Sequence, residues 1–402
     1  MRGETLRVSA RDVIDLVPDA LLDRLAFETG VDYSVQKLHG KILFKLFLFA
    51  ILQQGDVSLR VLETIFASQK FQTLFHMKDA VIKHSSIGMR LQNIKSEYFK
   101  QIFESLLANP KLKQVCFGDR KIQTHKIDST FVGIAEKLLT FGLRNGRSGN
   151  KTHLKYTVAL SGGIPVNIVL QTNKSFISED IALPPLVKAI SENTEDVVNI
   201  AIFDQGIRKK KTFIELAERR IFFVSRAESH TFKVVESLLV DTQTDTRFKI
   251  ISDEIVQFSK KKTHTRIVTF PQQLRLVTGQ NAKTGKQFHF ITNIRFLTAN
   301  EIANLYKSRW EIETFFKFIK QELGFTHLVS RTPKGVLAVM YLTMTVAILL
   351  TIYKKVNKFS SWKIAKIKFL DELTLDIFKA WHAELDLLFK HKQPFGQADP
   401  SM

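Results

Sequence analysis

At 402 residues the chain exceeds what one ordinary hydrophobic core supports, so two or three domains are expected. Apolar residues make up 45%, including 33 Phe, which excludes a disordered chain, and 59 Lys and Arg against 39 Asp and Glu leave a net charge of +20. Such an excess points to polyanions, nucleic-acid phosphates ahead of anionic membrane, while the one cysteine, Cys116, excludes a disulfide framework and a multi-cysteine zinc site. Cys116 reads as a small core residue of a cytoplasmic protein, and the stretch MRGETLRVSARD has no apolar region of the secretory kind.

In chain order, residues 1 to about 110 carry helical periodicity, as in KILFKLFLFAILQQ and YFKQIFESLLAN. From about 115 to 227 strands and helices alternate: KIDSTFVGI, THLKYTVAL, IPVNIVLQT, a helix at LPPLVKAISE, the strand VVNIAIF, a helix at KKTFIELAERR and the strand IFFVSR. That order predicts a mixed α/β sheet. Residues 228 to about 297 predict an all-β insertion of short strands (FKIIS, RIVTF, LRLVTG, KQFHFIT), and the last hundred residues are helical again. Gly335 to Ile352 contains no charge and meets the length of a membrane span. Three threonines and a tyrosine dilute it, and a buried central helix is expected in its place.

Two aspartates stand out. Asp128 lies inside the strand KIDST, and Asp204 closes VVNIAIF just before Gln205 and Gly206. A carboxylate in such surroundings is costly unless paired, metal-bound or used as a cap or turn residue. A third acid comes from YKSRWEIETFFKFIK, which predicts one helix from Tyr306 to Lys320. At about 100° per residue, Tyr306, Arg309, Glu313, Lys317 and Lys320 share an arc of roughly 80°, while Glu311 points to solvent. Ordinary pairing four residues apart, Arg309 with Glu313 and Glu313 with Lys317, explains that stripe at tenths of a kcal/mol. Convergence of Asp128, Asp204 and Glu313 on Mg²⁺, with Mn²⁺ able to substitute, explains it as a phosphoryl-transfer site.

The spacing Tyr306-x2-Arg309-x3-Glu313-x6-Lys320, with Asp128 in KIDST and Asp204 in IFDQG, resembles the signature of DDE transposases of bacterial insertion sequences, in the family named after insertion sequence four. The resemblance covers residues 115 to 330, and more loosely the first hundred through SLRVLETI and HSSIGMRLQNI. It implies a ribonuclease-H-like mixed-sheet core interrupted by a β insertion. Residues 1–112 would be a helical DNA-binding domain, 113–227 the first part of the core, 228–297 the insertion, 298–356 the helical second part with the catalytic Glu, and 357–402 a basic helical region. The activity implied is cutting of the element's terminal inverted repeats and joining of the 3′ ends to target DNA, by a homodimer on double-stranded DNA in the bacterial cytoplasm beside the nucleoid, with no membrane. Asp128, Asp204 and Glu313 would be the metal triad. Tyr306, Arg309, Lys317 and Lys320 would hold phosphates, with Arg226 beside them.

Some relatives of this kind stack a flipped base on a tryptophan of the insertion; here the tryptophans are Trp310, Trp362 and Trp381, none within it, so Phe288 or His289 would have to serve. Trp310 reads as a packing residue. Further DNA contacts are expected from a basic loop, Leu138 to Tyr156, carrying Arg144, Arg147, Lys151 and Lys155, from Lys209, Lys210 and Lys211, and from the six lysines between Lys354 and Lys368. The histidines form no HxH or HxxxH pair for zinc. A basic DNA-binding protein without catalysis, or an inactive relic of such an enzyme, is the alternative.

Overall fold

The computed structural model describes the chain apart from residues 1–6, 78–80, 136–140, 145–150, 191–196, 228–231, 241–247, 262–266 and 391–402. It divides into two units, one made of Met1–Asn109 with Lys320–Met402 and the other of Pro110–Ile319. The first begins with α1 (Ala10–Ile14), α2 (Asp19–Thr29), α3 (Gly40–Gln53), α4 (Leu59–Phe66), α5 (Gln69–Leu74), α6 (His84–Asn93) and α7 (Ser96–Ala108). Serine side chains cap several of these helices: Ser9 starts α1, Ser58 α4 and Ser68 α5.

The second unit starts with α8 (Pro110–Cys116), which buries Cys116. Next come β1 (Ile122–Ala135), β2 (Leu143–Arg144), β3 (Lys151–Ser161), β4 (Ile164–Gln171), a 3-10 turn at Lys174–Ile177, α9 (Glu179–Ile190), β5 (Val198–Phe203), α10 (Lys210–Glu218) and β6 (Phe222–Ala227). They are followed by β7 (Phe232–Ser237), β8 (Phe248–Lys261), β9 (Ile267–Asn281), β10 (Gln287–Thr292), α11 (Ala299–Lys307) and α12 (Trp310–Glu322). The strands form one mixed sheet in the order β2-β3-β1-β5-β6-β10-β9-β8-β7, with β4 on β3. β1, β5 and β6 are parallel, whereas β3 runs antiparallel to β1 and β10 antiparallel to β6. The β-rich segment thus continues the sheet of the core.

Alternation along the strands sorts the two faces. Ile127 of β1 and Ala201 and Phe203 of β5 pack with Leu183, Leu186 and Val187 of α9 and with Phe213 and Leu216 of α10. Ile200 and Ile202 point the other way, into a core with Ile302 and Ala303 of α11. Ile127 pairs with Phe203 in register, so the residues that follow, Asp128 and Asp204, stand side by side on the face away from α9 and α10. Substrates of open α/β sheets collect at such carboxyl ends of parallel strands.

Three expectations are corrected by long-range packing. Residues 267–270 of RIVTF and the whole of LRLVTG belong to the single strand β9, since a register shift between Gln257 and Ser259 of β8 accommodates Pro271, whose carbonyl accepts a bond from Gln257 Nε2. The region 298–356 does not stay with the core: α13 (Pro333–Val356) belongs to the helical unit, where it packs on α1, α3, α6 and α7 and on α14 (Trp362–Lys390). α13 is long and apolar enough to cross a membrane, yet most of it is buried among these helices, which explains why it lacks a polar face. Lys155, expected both within the strand THLKYTVAL and as a DNA contact of the basic loop, lies on β3 but is completely buried. Arg147 lies outside the described residues, as do the side chains of Arg144 and Lys151.

Candidate active site

The helix expected from Tyr306 to Lys320 is broken. α11, begun by a capping box of Thr298 and Glu301, ends at Lys307, and α12 starts at Trp310. Tight turns bridge the gap: Arg309 N donates to Tyr306 O and Glu311 N to Ser308 O, while Ser308 Oγ donates to Leu305 O. The consequence is geometric. Tyr306, at the end of α11, donates its hydroxyl to Asp204 Oδ1 at 2.7 Å. Arg309, 7% exposed, donates from Nη2 to Glu313 Oε1 at 2.6 Å and sits 3.6 Å from Asp128 Oδ2. One guanidinium thus bridges the first strand acid and the helix acid, next to the phenol that holds the second.

The charges are unevenly compensated. Burial pushes the Asp128 carboxyl up to about 6, and the nearby Glu179 and Asp204 push the same way, against the Ser129 N–H and Arg309. Burial and the bond to Asp204 raise the Tyr306 hydroxyl well above its usual range, so it remains a donor. Burial works against the charge of Arg309, but the bond to Glu313 and the fields of Asp204 and Asp128 outweigh it. Its Nε is buried with no acceptor, a deficit of about 1–3 kcal/mol that a phosphate or water oxygen would relieve.

A stability prediction follows from the raised Asp128. Well below 3.8 the carboxyl is protonated whether the chain is folded or unfolded and contributes nothing; as pH rises from there toward 6 the unfolded chain releases its proton first, so folded stability falls, and above 6 the whole penalty is present. Asp128→Asn removes it. Because the side chain is 32% exposed, about 1–2 kcal/mol is expected in place of the nearly 3 kcal/mol that two pH units would represent. Thermal melts in EDTA should show the variant more stable than the parent at pH 7.5, with most of that difference gone at pH 4.

The remaining expected residues divide. Lys317 is exposed on α12, and Lys320, on the same helix but across the unit boundary, is half-buried, with burial pulling its ammonium down. Arg226 stacks 5.1 Å over Phe288 and shares a small hollow with Gln205, Arg208 and Lys210 beside the Asp204 turn. Lys155 is corrected: its ammonium pairs with Glu179 at 2.7 Å and donates to the carbonyls of Phe176 and Ile177, so it is spent inside the fold. Lys210 is likewise held, by Ser259 O, whereas Lys211 is 83% exposed and meets only Glu215, one helical turn on. Glu311, half-exposed, pairs with buried Lys126, two residues before Asp128 on the same face of β1. Nothing in a helical wheel signals that partner.

Trp310 is 65% exposed and not a packing residue. With Phe248, Phe288, Phe290, Tyr306 and Lys307 it lines a cavity of about 380 Å³, so Tyr306 forms part of both the cavity and the acid cluster. His289, by contrast, lies 3.1 Å from Thr278 Oγ1 through Nδ1.

The acids suit a hard divalent cation: they are oxygen donors only, and two of them directly follow the residues Ile127 and Phe203 that pair in register. Among the described residues no three His, Cys, Asp or Glu side chains already form a group that could hold one ion, and Arg309 is the partner that Asp128 and Glu313 share.

Comparison with known proteins decides the family. The profile described as transposase DDE domain matches residues 119–350, more than half of the chain. The chain belongs to the DDE transposase family. Among its relatives, the transposase y4zB of Sinorhizobium fredii is 31% identical over 158 residues, 39% of this chain and 43% of that protein. A transposase of insertion sequence element IS5377 from Geobacillus stearothermophilus is 22% identical over 279 residues, 67% and 68% of the two chains. One of element IS4SA from Synechocystis is 22% identical over 297 residues, 72% and 78%. This chain therefore spans less than half of the first of these relatives. The matched stretch runs from β1 to α13 and so includes Asp128, Asp204 and Glu313.

Proposed function

We propose that the second unit is a ribonuclease-H-like core and that this transposase cuts the terminal inverted repeats of an insertion sequence and joins the 3′ ends to target DNA, with Asp128, Asp204 and Glu313 as its catalytic acids. The observation that carries the reading is that acids far apart in sequence meet around Arg309 and Tyr306, two residues of the same spaced pattern. The strand order β4-β3-β1-β5-β6, antiparallel then parallel, supports the core assignment.

Asp128, Asp204 and Glu313 would hold Mg²⁺, or Mn²⁺ in its place. Bound there, the ions would supply activation of a water towards a phosphodiester and stabilisation of a departing 3′ oxygen. Arg309 neutralises the acids in the metal-free chain and, once relieved of them, offers a planar pair of donors to a phosphate. Tyr306 keeps Asp204 aimed by donating to it. Lys317, Lys320 and Arg226 add positive charge for the DNA backbone, and Lys151 is proposed with them. The aromatic cavity suits an unstacked base at the DNA end, with Phe288 in the stacking role, whereas His289 is engaged by Thr278. Action on two ends implies a homodimer on double-stranded DNA, in the cytoplasm beside the nucleoid.

The test is cleavage of a duplex carrying the terminal repeat. Cutting in Mg²⁺ that EDTA stops supports the proposal, and binding without cutting in either Mg²⁺ or Mn²⁺ leaves a non-catalytic DNA-binding protein.

A further inference from the structure

We propose that Glu179 and Asp180, the first residues of α9, are positioning residues that hold the two aspartate-bearing segments against each other, an inference that rests on reading Asp128 and Asp204 as the acids of the site. Asp128 and Ser129 point to opposite faces of β1. Ser129 donates its backbone N–H to Asp128 Oδ1 at 2.8 Å, and its hydroxyl, on the α9 face, donates to Glu179 Oε2 at 3.2 Å. The other oxygen of Glu179 is held by the buried ammonium of Lys155 at 2.7 Å. That ammonium also binds the carbonyls of Phe176 and Ile177 in the turn leading into α9, so the carboxylate is fixed relative to its own helix. Ser129 is braced as well: its hydroxyl lies 2.8 Å from Thr157 Oγ1, whose single proton goes either to Ser129 or to Gln171 Oε1, and Gln171 donates to Ala182 O of α9.

Asp180 does the corresponding work for the other strand. Its Oδ1 accepts from the backbone N–H groups of Arg208 and Lys209, each at 2.9 Å, closing the turn that starts at Asp204. Asp204 itself accepts from Gln205 N at 2.8 Å. The turn also lies directly on Glu179: a Cβ at Gly206 would stand 2.7 Å from Glu179 Cγ, a distance that only glycine avoids. Two consecutive acids on one helix therefore reach the two strands that carry Asp128 and Asp204. A fully buried lysine is tolerated only when paired, and a satisfied buried polar network of this kind fixes one arrangement. Partners one step behind metal-binding side chains commonly change affinity by 10–100-fold when removed.

The experiment uses the full chain with Mn²⁺ as probe, measured by calorimetry, alongside cleavage of the terminal-repeat duplex. Asp180→Ala and Gly206→Ala should weaken Mn²⁺ binding about tenfold and lower kcat, with KM for DNA nearly unchanged. Combining Glu179→Gln with Lys155→Met removes both buried charges together, and with them the hold on the start of α9, so its Mn²⁺ affinity should also fall about tenfold. Asp180→Ala is the decisive variant if Gly206→Ala does not fold, because it removes one half-buried side chain. Variants, the double variant included, that melt like the parent and bind Mn²⁺ with parental affinity overturn the proposal. Failure of the parent itself to bind Mn²⁺ overturns the assignment of the acids, and this inference with it.

Discussion

Asp204→Asn and Glu313→Gln should each lower strand cleavage by about 10³-fold or more, some 4 kcal/mol of transition-state stabilisation, while binding of the DNA ends stays within about twofold. Both substitutions preserve shape and remove charge. Asp204→Asn keeps an oxygen for the Tyr306 hydroxyl, and Glu313→Gln keeps one for Arg309, so neither should disturb the fold. The loss is therefore expected in the chemical step. Single-turnover cleavage with a gel-shift control separates the two effects, and cleavage that survives either change removes that residue from the triad.

Arg309→Ala should have the second-largest effect, and of a different kind. Its guanidinium compensates Asp128 and Glu313 in the metal-free protein, so its loss should cost about 2 kcal/mol, less than the 3–5 kcal/mol of a fully buried pair because both acids are about a third exposed. Melting in EDTA should fall by several degrees, and Mn²⁺ should close most of that gap by replacing the missing positive charge. Strand transfer should drop on the order of 100-fold, the usual effect of removing one donor to a developing charge, with Mn²⁺ affinity undiminished. A variant that no longer binds Mn²⁺ would place Arg309 in the support of the metal and not of the phosphate.

Much of the second unit was legible because its strands are bounded by turn residues and its acids interrupt apolar runs. Asp128 and Asp204 could be picked from sequence for that reason, since an acid inside KIDST or after VVNIAIF is costly unless paired, metal-bound or used as a cap or turn residue. Arg309 and Glu313 were legible through their spacing of four. What sequence hid was decided across long separations. Lys155 looked like any lysine of a basic stretch until β3 placed it beside Glu179, and Glu179 carried no signal because its contacts are with Ser129, 50 residues away, and with Gly206. Lys126 and Glu311 are likewise partners only once α12 lies over β1.

The break at Ser308 was missed for a local reason. Serine is tolerated in helices and its neighbours keep the apolar period, so a wheel drawn through Tyr306 to Lys320 is smooth. The stripe read from that wheel nevertheless met the acids, because tight turns at Ser308 and Arg309 advance the chain at close to the helical rate. The placement of α13 was concealed by its uniform apolarity: a helix buried on all sides carries no face to say which unit covers it.

A crystal structure of the protein soaked in Mn²⁺, read by anomalous scattering, tests the central claim most directly. The account predicts manganese held by Asp128, Asp204 and Glu313, with the Arg309 guanidinium displaced from between Asp128 and Glu313. Saturating Mn²⁺ that leaves Arg309 bridging the two acids, with no anomalous density beside Asp204, would contradict it.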